Sequence, residues 1–165
     1  MATPTTPSRY LFRALYAAAA LVLMDQLAEL LASTYPFQVG EVKWRFGAFG
    51  LFIGRTTTAV IVDMLVLIAA VGLEHRRFLR VWGALHFVVG VLLVAGMAIF
   101  SLDVLEMRRS VVPEAAGTLV LASVRAGIVV VAAVIYAFGA GLAALRANAA
   151  LKPARAPDSS IVMPR

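Results

Sequence analysis

Four ionisable residues stand inside stretches that otherwise read as hydrocarbon: Asp25, Glu29, Asp63 and Arg125. A charge at mid-bilayer costs roughly 2.5–3.5 kcal/mol even on permissive insertion scales, so such groups tend to face a bundle interior and pair. Arginine stays charged when buried. Arg125 is therefore expected to draw Asp25, Glu29 and Asp63 into one intramembrane charge cluster. Such a cluster can act as a clasp that fixes which helices touch, or as a relay that passes protons or ions between carboxylates. A relay needs polar groups through the whole depth of the bundle. Below Asp63 the chain offers His86, and a histidine one turn beyond Trp82 also reads as interfacial. The clasp is the expectation and the relay its alternative.

The elements that must position these groups are four apolar stretches at about 11–32, 57–73, 82–102 and 117–145. Each is close to the roughly 20 residues that a helix needs to cross a core about 30 Å thick. Of the 165 residues, 62% are hydrophobic and 15% are charged, against about 25% charged in soluble proteins. The runs are continuous and lack the two-residue alternation of barrel strands. The expected fold is all-α, an integral-membrane four-helix bundle over 9–147, with disordered tails at 1–8 and 148–165. Arg9 and Arg13 before eleven apolar residues resemble a signal peptide. Asp25, Gln26 and Glu29 stand where a cleavage site would be, so an uncleaved first helix is expected.

Orientation follows from lysine and arginine. With the N-terminus cytoplasmic, the inner segments hold Arg9, Arg13, Arg76, Arg77, Arg80, Arg146, Lys152, Arg155 and Arg165, and the outer ones Lys43, Arg45, Arg55, Arg108 and Arg109. The bias places both termini inside. It also reads the net charge of +6 as a topological address rather than a nucleic-acid surface. Arg76, Arg77 and Arg80 form a short basic loop suited to anionic lipid headgroups. On these boundaries Asp63 lies roughly 10 Å, and Arg125 roughly 12 Å, below the outer surface, so the four charges are expected in one layer.

Between the first two spans, Tyr35, Phe37, Trp44, Phe46, Phe49 and Phe52 are interrupted by Gly40, Gly47, Gly50 and Gly54. Aromatic rings settle at the membrane–water boundary. This predicts an interfacial or re-entrant helix over about 41–54, serving as an anchor or a partner-binding surface. Gly90 in the third span and Ala133, Ala137 and Gly141 in the fourth are small residues that let helices approach closely.

Catalytic signatures are sparse. The chain has no Gly-x-Ser-x-Gly elbow and no P-loop. It has no cysteine, which excludes disulfides and thiolate metal sites. Only His75 and His86 could ligate a metal, without a third ligand nearby. No enzyme, metal or cofactor is expected. Asp25-Gln26-Leu27-Ala28-Glu29, Pro36, the Glu41–Arg45 stretch around Trp44, Gly50, Arg55, Phe78-Leu79-Arg80, Leu102-Asp103 and Arg108 resemble the pattern of HpsJ-like bacterial membrane proteins. That resemblance covers about residues 20–110. It implies a four-helix inner-membrane protein associated with polysaccharide secretion, with no catalytic set to carry over. The expected function is a non-enzymatic accessory or scaffold subunit that binds another membrane protein or a second copy of itself. The alternative is a small proton- or ion-coupled transporter or channel.

Overall fold

A computed structural model describes residues 6–151. They form four helices, α1 (Thr6–Thr34), α2 (Val42–Gly72), α3 (Arg76–Ser110) and α4 (Pro113–Ala150), joined by the connections 35–41, 73–75 and 111–112. All four are long and apolar enough to cross a membrane, and the architecture is an all-α, multi-pass membrane bundle running up, down, up, down. In a hydrocarbon solvent each backbone donor and acceptor must be satisfied within its own segment, which helices achieve. We call the end carrying 35–41 and 111–112 the upper end, and the end carrying 73–75 the lower.

Three element boundaries differ from expectation. The aromatic segment is not a separate interfacial helix but the first turns of α2, which begins at Val42 instead of 57. Its glycines cost helix propensity of about 1 kcal/mol each. Stacking of Phe46 and Phe49 on Phe100, with centroids 5.3 and 4.5 Å apart, offsets that cost and carries the helix upward. α4 begins at Pro113 instead of 117, with the proline at the first helical position, where its missing N–H is harmless. Residues 6–8 and 148–150, expected in tails, are helical, while 1–5 and 152–165 lie outside the described residues.

The lower turn is a Schellman closure. The His75 N–H donates to the Ala70 carbonyl and the Glu74 N–H to the Val71 carbonyl, both at 3.0 Å. Glu74 takes the left-handed position (φ 55°) that glycine usually fills.

α3 and α4 share the most extensive interface, and α2 packs across both. Buried positions recur at three- and four-residue steps, Gly83, His86, Gly90 and Leu93 on α3 and Ala126, Val130, Ala133, Ala137, Gly141 and Ala144 on α4. That spacing is the seam of a left-handed helix pair. The two backbones nearly touch at Gly83 and Gly141. A Cβ on Gly141 would lie 3.0 Å from the Gly83 carbonyl oxygen, and one on Gly90 would lie 2.9 Å from the Phe138 ring. α1 is peripheral. Its backbone approaches only that of α2, and Tyr16 against Phe78 is its aromatic bridge to α3, near the lower end.

The exposed apolar side chains define the membrane band. They run from Leu11 to Leu31 on α1, Leu51 to Val71 on α2, Val81 to Leu105 on α3 and Val120 to Leu142 on α4. At 1.5 Å per residue these bands are about 30–36 Å tall, matching a hydrocarbon core of about 30 Å.

Candidate functional site

Asp63 is the polar centre of the bundle. It is 8% exposed and lies about two-thirds of the way down α2, where any charge must be compensated by neighbours. Three side chains converge on it. The Trp82 indole N–H donates to Oδ1 at 2.6 Å, the Tyr136 hydroxyl donates to Oδ2 at 2.5 Å, and His86 Nε2 stands 2.8 Å from Oδ2. Trp82 and His86 lie four residues apart, so α3 presents both on one face. α4 supplies Tyr136 beside its Ala133–Ala137 stripe, where small side chains bring the phenol within reach.

Hydrogen-bond bookkeeping fixes the tautomer. His86 Nδ1 is 2.9 Å from the Trp82 carbonyl oxygen, which can only accept, so Nδ1 carries a proton. One further proton is then shared along the Nε2–Oδ2 line. The pair is either carboxylate with imidazolium or carboxylic acid with imidazole, and both forms are neutral overall.

Beneath this tetrad the helices close. Ala69, Ala70 and Leu79 are fully buried and Val66 and Ala144 nearly so. The Tyr16 hydroxyl, buried in the same lower half, has no hydrogen-bond partner among the described residues. Above the tetrad the bundle opens. A cavity of about 340 Å³ is lined by all four helices and reaches from Gln26, Arg55 and Thr56 down to Asp63, Trp82, His86 and Tyr136. Most of its wall between those ends is aliphatic, including Leu23, Leu30, Val60 and Ala133.

The expected single charge cluster does not form. Arg125 is exposed on the outward side of α4, with no acid within 4 Å among the described residues. Rotation is the first reason. Ala126 is the residue aimed at α2 and α3, against Ile53 and Phe100, and Arg125 is turned about 100° from it. Depth is the second. Tyr136, which meets Asp63, lies eleven residues after Arg125, so Arg125 sits about 16 Å above Asp63 along α4. The shared layer was inferred from helix starts placed too late in the chain.

The acids expected to neutralise Arg125 are dispersed. Asp63 belongs to the tetrad. Glu29 pairs with Arg55, which also donates to Gln26 Oε1 at 3.2 Å. Asp25 is exposed on α1 without an ion-pair partner among the described residues. The upper boundary carries a second pair that sequence reasoning left unassigned. Arg45 Nη2 donates to Asp103 Oδ1 at 2.6 Å and its Nε contacts both carboxylate oxygens, tying the first turns of α2 to the end of α3.

The other expected positions are placed as follows. Trp44 donates to the Thr34 carbonyl at 2.9 Å, which satisfies a free acceptor at the end of α1 and closes the 35–41 connection. Phe37 packs edge-on to both Trp44 and Tyr35. Phe46 and Phe49 belong to the upper core, while Phe52 lines the cavity. Gly90, Ala133, Ala137 and Gly141 lie in the α3–α4 seam. Arg76, Arg77 and Arg80 flank the lower turn and are in no ion pair among the described residues. No group of three metal-ligating side chains occurs among the described residues.

The available signal for the tetrad was a carboxylate inside a span together with Trp82, His86 and Tyr136 in other spans, since a buried acid requires donors. No protein-family model matches the chain, and no curated protein or solved structure shows significant similarity to it.

Proposed function

We propose that this chain is a non-enzymatic scaffold subunit of a bacterial inner membrane, with both termini cytoplasmic, whose copies associate side by side within the bilayer. The observation that carries this reading is a pair of exposed opposite charges at matched depth. Arg125 lies five residues, about 7.5 Å, below the top of the α4 apolar band at Val120. Asp25 lies six residues, about 9 Å, below the top of the α1 band at Leu31. Both charges face outward: Leu121, Val124 and Ile128 surround Arg125, while Asp25 has Leu21 and Val22 one turn below it and the Glu29–Arg55 pair one turn above. A lone charge in that setting is costly, and pairing across a contact between copies removes the cost.

α1 and α4 do not pack on each other within one copy. The contact therefore joins two different faces, and repeated use of it builds a ring or a row. The resemblance to HpsJ-like proteins points the same way, toward an accessory role in polysaccharide secretion. Transport through the tetrad is disfavoured by the apolar layer of Val66, Ala69, Ala70 and Leu79 beneath it.

A charge swap tests the reading. In mild detergent, Asp25→Arg and Arg125→Asp should each convert an oligomer to monomer, and the double swap should restore the oligomer, read by light scattering after size exclusion. A monomeric unsubstituted protein, or single variants that stay associated, would overturn it.

A further inference from the structure

The cavity above Asp63 has no part in that association, and its wall has the chemistry of a binding site. Its polar rim of Gln26, Arg55 and Thr56 lies about one turn below Leu30 and Phe52, its middle is aliphatic, and its floor is the Asp63–His86–Tyr136–Trp82 group. Phe52 and Asp63, both in its wall, are eleven residues apart, so the chamber is about 16 Å deep along α2. With a volume of about 340 Å³, it has a mean cross-section of about 20 Å², room for one hydrocarbon chain. The volume lies in the range of small-molecule sites, roughly 300–1,000 Å³. Leu27 on α1 and Leu85 and Val89 on α3 line it and are also exposed, so it opens sideways toward lipid where α1 and α3 diverge.

The polar atoms on the wall are unevenly committed. At the floor, Asp63 already receives Trp82 and Tyr136 and faces His86, so the floor presents chiefly ring surface to an occupant. At the rim, Gln26 accepts from Arg55 through Oε1, leaving its amide N–H groups free, and Thr56 donates to the Phe52 carbonyl, leaving its oxygen free to accept. A free donor and a free acceptor together match a hydroxyl. The rim's positive charge is already answered, because Arg55 is paired with Glu29. A charged head would leave one of these charges unbalanced in a low-dielectric setting.

We infer that the cavity binds an uncharged single-chain amphiphile taken from the bilayer, its hydroxyl head held by Gln26 and Thr56, its chain lying down over Val60 and Ala133 to the tetrad and the chain's end leaving through the lateral opening at Leu27, Leu85 and Val89. The head then rests about 7.5 Å below the top of the membrane band, five residues from Leu31 on α1 and five from Leu51 on α2.

The test uses the fluorescence of Trp82, which lines the cavity. The chain has two tryptophans, so Trp44→Phe leaves Trp82 as the sole indole. In detergent micelles, dibromohexadecanol should quench it saturably, and plain hexadecanol should reverse the quenching. Dibromopalmitate and a brominated hexadecyl ammonium at equal micellar fraction should quench only in proportion to their concentration. Val60→Phe and Ala59→Leu, each filling part of the chamber, should weaken the saturable component about tenfold, as should Gln26→Leu, with helicity by circular dichroism reporting the fold. Hexadecanol competition in the unsubstituted protein reads the site without any substitution.

Three results would overturn the inference: quenching that never saturates, saturation unchanged in both filling variants, or preference for the acid or the ammonium probe. None depends on whether copies associate, since the charge-swapped Arg125→Asp variant should bind the alcohol as well as the unsubstituted protein does.

Discussion

A single carboxylate determines how three helices of this protein meet. Asp63 is useful at its depth because three donors from α3 and α4 surround it, and each donor would be stranded without it. Removing one partner of a buried ionic pair costs about 3–5 kcal/mol, because the groups left behind stay desolvated and unsatisfied. Asp63→Ala should lose stability in that range, measured by SDS-induced unfolding in mixed micelles. His86→Ala leaves Asp63 with Trp82 and Tyr136 and should lose about 1–3 kcal/mol. The two losses should not add, with a coupling of about 0.5–3 kcal/mol in the double variant. Arg125→Leu removes a charge that contacts no acid within its own chain, and should leave the stability of an isolated copy unchanged or raised in the same assay.

At the scale of elements, the helices were legible and their lengths were not. Hydropathy marks where lipid touches a chain, so it located the apolar centre of every span. It missed the turns above 57 on α2 because glycines and charged residues dilute the apolar run there. Those turns are held by Phe46 and Phe49 on Phe100 and by Arg45 on Asp103, contacts between residues more than fifty positions apart that periodicity does not encode. The small-residue positions were visible, whereas the partner of each was not. Two glycines on α4 separate a packing role from a composition effect. At Gly141 an added methyl meets the Gly83 carbonyl at 3.0 Å, and at Gly139 it meets nothing within 4 Å. Gly141→Ala should cost about 1–3 kcal/mol by overpacking. Gly139→Ala should be neutral or stabilising by up to about 1 kcal/mol through helix propensity. Thermal unfolding of the two variants in one detergent makes the comparison.

For the whole molecule, rotation about each helix axis is what a one-dimensional reading lacks. The four charges lie within helices, but which of them share an interior depends on the seam formed by Gly83, Gly90, Ala133 and Gly141, and that seam turns Arg125 outward. The up-down course and the lysine and arginine bias together predict a specific sidedness. The chain has no cysteine, so single-cysteine variants report cleanly. In intact cells, Val39→Cys in the upper connection should react with an impermeant maleimide, and Glu74→Cys in the lower turn should react only after the membrane is opened. The reverse pattern would invert the orientation.

α1 rests on one neighbour while α2, α3 and α4 brace one another, so the four spans are not equivalent in how they are retained. The chamber wall carrying Leu23, Gln26, Leu27 and Leu30 lies outside the α3–α4 seam and is tied to α2 by the contacts of Arg55 with Gln26 and Glu29. The seven-residue 35–41 connection that follows it is pinned by Trp44 to the last turn of α1. The first span is thus held at three levels, by Trp44 at the membrane surface, by Arg55 beside the chamber and by the rings of Phe78 and His75 at the opposite end.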